Sequence, residues 1–449
     1  MSTTAGSDPP PTTQAEAGST GLGRAVVAAV VGTVIEWYDY ALYGAAAGVV
    51  IGPLFFPDVV SSAAALAAFA TFAVGFVVRP LGGVVIGHIG DRFGRKPAMI
   101  LSIVLMGGAT VAIGLLPTAS TIGVWAAILL VLFRCVQGFG AGAELAGAMT
   151  LVAEYAPPAR RGFFTSLVLS APPAGIVLAT GAFFAAASLP EGALLSWAWR
   201  LPFLVSAALF LVALYIRNRL NETPEYRRAA ERAAERAERE KLPLVELFRT
   251  SSRHVLLGFL SITGHNALNY IMAAFAIAFM TSDSVGMSRP AALLAVTIGS
   301  IFGVVTTPLG GMASDRFGAG RVLAAGSLAG AVFAYPLFMA LRSGSVVNAT
   351  IAIAIGYAAV IACTSGSQGA FLVELFPTKA RFSGIAVARE LNGALVAGLT
   401  PLIALALIQA AGGQIYLAAG YLAVCCLLSA GAVLTAQRWG AAPAAEVAQ

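Results

Sequence analysis

Seven charged side chains stand inside stretches that are otherwise apolar: Glu36, Asp39, Arg79, Arg134, Glu144, Arg389 and Glu390. If those stretches cross a bilayer, each charge costs at least about 2.5–3.5 kcal/mol on insertion scales, so a chain keeps one only where it is paired or used. Asp39 and Arg134 fall near the middles of the first and fourth apolar stretches. A carboxyl exchanges its proton as its surroundings change, whereas a guanidinium keeps its own, so together they have the chemistry of a proton-exchange site. Asp39, Arg134 and Glu36 are accordingly assigned to proton coupling; the competing reading is a permanent ion pair that only fixes helix packing. Glu36 and Asp39 are three residues apart and Tyr43 lies four beyond Asp39. That spacing places all three on one helical face, predicted to turn toward a central cavity.

A second set of polar groups has the chemistry of ligand binding. His265, Asn266, Asn269 and Tyr270 form a stripe at i, i+1, i+4 and i+5 within an apolar helix, and lipid would leave their hydrogen-bonding groups unsatisfied. The stripe is predicted to line the cavity, with plain packing as the competing reading. Tyr43, Gln137, Gln368 and Asn392 are assigned to the same cavity. Arg79 either reaches a cavity anion or snorkels to phosphate headgroups. Adjacent Arg389 and Glu390 point about 100° apart, so one faces the cavity while the other pairs with a neighbouring helix, unless the two neutralise each other. An inward Arg389 would offer a carboxylate its donor fork. Glu144 serves either a cation or a closing contact at the end of its helix.

The elements that must position these groups follow from composition. The chain has 449 residues, 58% hydrophobic and 11% charged, with mean hydropathy +0.85; a soluble domain has about 25% charged residues. Spans are predicted near 25–55, 63–86, 97–116, 122–150, 163–187 and 199–216, then near 255–281, 290–312, 322–341, 345–373, 382–411 and 414–436. Residues 1–23 read as a disordered tail, 24–216 and 254–437 as six-helix bundles, 217–253 as a charged linker carrying a surface helix, and 438–449 as a second tail. The first apolar run is too long for a cleavable signal and carries carboxylates. Most of the 27 basic residues fall in loops on one side of this arrangement. They set topology, with both termini cytoplasmic, and do not mark a nucleic-acid partner. The four cysteines lie in apolar runs without metal-ligand spacing, and the three histidines form no motif. Gly138-Phe-Gly-Ala-Gly142 lies in a membrane helix and reads as close helix packing rather than a nucleotide loop. No metal, no nucleotide and no cofactor beyond a coupling proton is expected, and no nucleophile with its base suggests an enzyme.

Two motifs recur. Gly87-xxx-Asp91-Arg92-x-Gly94 returns as Gly311-xxx-Asp315-Arg316-x-Gly318, 224 residues on (315 minus 91), and Glu154-xx-Pro157-xxx-Arg161 returns as Glu374-xx-Pro377-xxx-Arg381, 220 residues on (374 minus 154). Repetition in order, near half the chain length, implies that the halves are structural copies. Asp91, Arg92, Arg95, Glu154, Arg161 and Glu222, with Asp315, Arg316, Glu374 and Arg381 in the second copy, are predicted to form a cytoplasmic salt-bridge gate. Such contacts would differ between two states of the molecule and so could move the equilibrium between them.

Gly87 to Lys96 (GHIGDRFGRK) resembles the loop signature of the major facilitator superfamily between its second and third helices. Gly32-Thr-Val-Ile-Glu-Trp-Tyr-Asp39, Arg79-Pro-Leu-Gly-Gly83, Arg134-xx-Gln137-Gly138, Trp197-x-Trp-Arg200, Glu222-Thr-Pro224 and Glu374-Leu-Phe-Pro377-Thr are similar to its metabolite:proton symporter branch, the relatives of shikimate, α-ketoglutarate, citrate and proline/betaine carriers. The resemblance covers about residues 24 to 437. It departs at Gly142-Ala-Glu144, at the missing Arg after Gly318, and at Arg389-Glu390. It implies an all-α membrane protein: twelve transmembrane helices as two six-helix bundles with pseudo-two-fold symmetry, working as a monomer in the cell membrane. It also implies proton-coupled uptake of a small organic acid by alternating access, with Asp39 and Arg134 as the proton pair. Uptake of a zwitterionic osmolyte such as proline or betaine is the alternative; a drug/proton exporter and a non-transporting receptor are the further rivals.

Overall fold

Long apolar runs punctuated by Gly, Pro and basic loops can satisfy their backbone inside lipid only as helices. The computed structural model describes residues 11–93, 95–141, 149, 152–153, 156–220, 244–377 and 381–446, and these are helical with no strand among them. The first half comprises α1 (Pro11–Ala46, continued by a π-turn at Ala47–Ile51 and Gly52–Phe55), α2 (Ser61–Phe93), α3 (Arg95–Leu115), α4 (Val124–Gly140), α5 (Arg161–Leu169 and Ala171–Ala187) and α6 (Arg200–Leu220). The second comprises α7 (Leu244–Ser261, Thr263–Tyr270, a π-turn at Ile271–Phe275 and Ala276–Thr281), α8 (Arg289–Phe317) and α9 (Ala319–Arg342). It continues with α10 (Val346–Ile355, a π-turn at Gly356–Ile361 and Ala362–Leu375), α11 (Arg381–Asn392, a π-turn at Gly393–Ala397 and Thr400–Ala410) and α12 (Tyr416–Glu446).

Among the described residues seven helices are long and apolar enough to cross a membrane, and the pair Glu191–Ala198 with Arg200–Val212, bent by 42°, adds an eighth. Ile100–Leu115 and Val124–Gly140 are shorter apolar helices. The charged and amide side chains of the site come from the first, second, fourth, seventh, tenth and eleventh passes. Helix α1 begins at Pro11 and α12 runs to Glu446.

The duplication is visible in geometry. The π-turns at Ala47–Ile51 and Ile271–Phe275 lie 224 residues apart (271 minus 47), the spacing of the Asp-Arg motifs. Arg161 Nε donates to Ala153 O at 3.1 Å, and Arg381 Nε to Val373 O at 3.1 Å, the same bond in each copy.

The halves meet along α5–α8, α5–α10, α2–α11 and α1–α7. Both chain ends belong to one face of the molecule, here the terminal face. There Asp315 at the end of α8 accepts from the backbone N–H of Gly162 at 2.6 Å and of Phe163 at 2.9 Å, so a carboxylate of one half caps the N-terminus of α5 in the other. At the far face α1 lies on α7: a side chain at Gly44 would meet Ala274 Cβ at 3.1 Å, and one at Gly48 would meet Ala278 N at 3.1 Å. Thr281 Oγ1 donates to Gly48 O at 3.4 Å, and Arg289 pairs with Glu191 at 2.6 Å. Contacts between the halves are thus present at both faces at once.

Candidate functional site

Between the halves lie two small cavities, of about 20 Å³ and 10 Å³, with Trp37 of α1 in the wall of both. The larger is polar, lined by His265, Asn266 and Asn269 of α7, Ser365 and Gln368 of α10, and Arg389 of α11. The smaller is aromatic and aliphatic, bounded by Tyr40, Phe72 and Tyr270 among others. The polar stripe of α7 therefore meets one cavity wall. His265 Nδ1 lies 3.0 Å from Thr364 Oγ1, Asn269 Oδ1 accepts from Tyr357 at 3.2 Å, and Asn266 Nδ2 donates to Asn392 Oδ1 at 2.6 Å. Asn392 is bonded to Thr263 at 2.9 Å and to Phe259 O at 2.8 Å, so it braces α11 on α7 from behind Asn266.

Of the adjacent pair on α11, Arg389 faces the cavity and Glu390 turns to a neighbouring helix. Arg389 Nη1 donates to Gln368 Oε1 and lies 4.0 Å from Met149 Sδ. Glu390 Oε2 accepts from Arg79 Nε at 3.2 Å, and Glu36 Oε1 lies 3.3 Å from Arg79 Nη2. Arg79 also donates to Ala141 O at 3.2 Å and stacks 4.7 Å over the Tyr40 ring. It neither snorkels nor stands open to an anion. It binds two carboxylates, one from each half, and is 9% exposed.

The remaining predicted residues fall behind the cavity wall. Asp39 is 2% exposed and its Oδ1 accepts from Ser206 of α6 at 2.5 Å. Arg134 is fully buried; it donates to Gln137 Oε1, to Phe72 O at 3.0 Å and to Thr71 O at 3.4 Å, and lies 4.0 Å from the Tyr43 ring centre. No direct Asp39–Arg134 ion pair stands among the described residues. The two are joined through Gln137, whose Nε2 donates to Thr110 at 2.7 Å, with Thr110 in hydrogen-bonding reach of Asp39. Gly75 explains the direction Arg134 takes, because a side chain there would lie 2.5 Å from Nη2; the guanidinium fills the space that glycine leaves on α2. Tyr43, bonded to Thr71 at 2.6 Å, and Gln137 belong to this cluster and not to the cavity wall, where they were expected. Of the predicted shared face, Asp39 and Tyr43 turn into the first bundle while Glu36 meets Arg79, and α1 offers the cavity Trp37, Tyr40, Ala41 and Gly44.

Only part of the expected gate lies among the described residues. Arg161 and Arg381 bond backbone carbonyls of their own half, and Arg316 stacks 5.2 Å from the Phe317 ring centre. Glu374 lies in electrostatic reach of Arg161 and Asp315. Among the described residues closure at this face thus uses Asp315 on backbone N–H groups. Glu144, Glu154 and Glu222 lie outside the described residues, as do the side chains of Asp91, Arg92 and Arg95. Sequence reasoning missed Ser206, Thr110 and Thr71. Small hydroxyls inside apolar helices are the available signal, but most such hydroxyls bond their own helix carbonyls and stay silent.

Two half-copies closing on a polar cavity, with charges buried between apolar helices, have the architecture of a secondary transporter. The chain belongs to the sugar (and other) transporter family, whose profile matches residues 25–242 and 230–435. It is 38% identical over 415 residues to the shikimate transporter of Escherichia coli strain K12, covering 91% of this chain and 92% of that one. To the proline/betaine transporter of Salmonella typhimurium it is 35% identical over 397 residues, covering 86% and 78%. Its fold matches that of the xylose transporter XylE from E. coli with TM-score 0.68 at 19% identity, over 93% of this chain and 98% of that one. This is the major facilitator fold, and these relatives are transporters of small organic substrates, not enzymes.

Proposed function

We propose that the chain is a proton-coupled symporter that takes up a small organic acid by alternating access. Arg389 carries this reading: a guanidinium on the wall of a buried cavity between two halves, beside a buried amide, is a carboxylate receptor in a place water does not reach freely. The shikimate transporter's name supports an acid. Asp39 takes the proton and Arg134 answers through Gln137 and Thr110, since a carboxyl held by hydroxyls can hold or release a proton without leaving its place. With the terminal face cytoplasmic in a cell or inner membrane, as the basic loops indicate, the Asp315 cap is the cytoplasmic gate and α1–α7 the outer one, in a molecule that works as a monomer.

The test is uptake into proteoliposomes under an imposed pH gradient, inside alkaline. Shikimate should accumulate above its external concentration, and collapse of the gradient should end accumulation while leaving exchange of internal for external substrate. A second reading, uptake of a zwitterion, is favoured by one observation: Trp37 lies 5.9 Å from Tyr270 and 6.5 Å from Tyr40, and such aromatic walls attract quaternary ammonium groups. Accumulation of glycine betaine in preference to any acid would establish it.

A further inference from the structure

Resting on the organic-acid reading above, we propose that Arg389 and Gln368 form a two-donor clamp for a single carboxylate, and that the substrate is a monocarboxylate with an uncharged, hydroxyl-bearing body. Gln368 is 1% exposed, and its side-chain oxygen accepts from Arg389. That bond fixes the amide, since the opposite orientation would set N–H groups against a guanidinium, which has no acceptor. The amide nitrogen is consequently left buried with no hydrogen-bond partner, on the wall of the polar cavity next to Arg389. A buried donor without an acceptor carries its full desolvation penalty. A carboxylate placed there removes it, one oxygen taking the amide N–H and the other the guanidinium.

Charge limits what else can enter. No carboxylate is among the described residues lining the polar cavity, and the nearby Glu36 and Glu390 are both held by Arg79. A cationic group on the substrate would find no counter-charge among the described residues of that wall. A second carboxylate would find no second fork, because Arg79 is committed to Glu36, Glu390 and Ala141 O. On the same cavity, Asn266 donates its amide to Asn392 and presents its oxygen as the accepting end, whereas Asn269 accepts from Tyr357 and keeps its N–H groups as the donating end. A hydroxyl group, at once donor and acceptor, matches that pair. Trp37 with Pro172 and Pro173 closes the remaining side with apolar surface.

The experiment is equilibrium binding and thermal shift on the full purified chain, with quinate, lactate and benzoate as monocarboxylate probes against quinate methyl ester, succinate and glycine betaine. At least one monocarboxylate should bind, and the ester, the dicarboxylate and the betaine should bind tenfold or more weakly than it does. Gln368→Leu should weaken the acid roughly ten- to hundred-fold, and Gln368→Glu, which sets a carboxylate against Arg389, should abolish it. The clamp is overturned if none of the three monocarboxylates binds, if ester or betaine binds as tightly as the acid, or if Gln368→Leu leaves affinity unchanged. The ligand series on the unaltered protein tests the clamp whether or not the variants fold. Acid binding without pH-driven accumulation would overturn proton coupling and leave the clamp standing; pH-driven accumulation of betaine without acid binding would do the reverse.

Discussion

Arg79 holds one carboxylate from each half, and its neighbours make clear why a lone buried charge would be intolerable. Removing the cation takes a partner from each of two acids, and breaking a buried pair by deleting one partner costs about 3–5 kcal/mol. Arg79→Met should therefore lower the melting temperature of the purified protein, and adding Glu36→Gln with Glu390→Gln should restore most of the loss. Asp39 is a different case, since its contact with Ser206 at 2.5 Å is to a hydroxyl. Asn in its place can keep a hydrogen bond there but cannot exchange a proton. Asp39→Asn should abolish concentration of substrate under a pH gradient while exchange across the membrane continues, read as isotope counterflow. If the variant still concentrates substrate, Asp39 is not the coupling site.

Between elements, small residues decide how closely the halves approach. Gly48 lets α1 lie on α7, and a side chain there would meet Ile277 Cγ2 at 3.1 Å. Gly48→Leu should hold the far face open: the variant should fold, should lose transport, and should leave a cysteine placed at Thr281 reactive to an impermeant maleimide with substrate present or absent. At the terminal face the Asp315 cap is a charge on a helix N-terminus, an interaction worth about 1 kcal/mol in partly exposed geometry. Asp315→Asn should shift the population toward opening at that face by a corresponding few-fold factor, measured by reactivity of a cysteine replacing Ser365. The π-turns repeat in α1 and α7, where the helices cross, and both copies change helical register just where they pack.

At the scale of the molecule the two copies share a frame and differ in what they hold. The first half encloses Asp39 and Arg134 behind its own wall, and the second presents Arg389, Gln368 and the α7 amides to the cavity. On the assignment proposed above, proton and substrate would be held on separate sides of α1, and coupling between them would pass through movement of the halves. The exposed Arg289–Glu191 pair, with side chains 28% and 68% exposed, joins the same halves at the far face. Solvent screens it, so Arg289→Ala should change thermal stability by less than about 1 kcal/mol and leave transport near its original rate.

The twelve passes, the duplication and the identity of nearly every charged residue at the centre were legible in the chain, because hydrocarbon penalises each charge wherever its helix lies. The stripe of His265, Asn266 and Asn269 was legible for the same reason. Which charge meets which was not. Arg134 turns toward Gly75 and away from Asp39, Arg79 spans to Glu390 at a separation of 311 positions along the chain, and Gln368 orients itself on Arg389. Those choices depend on the space left by glycines on other helices and on the reach of long side chains across an interface, and neither quantity exists until the two halves have packed.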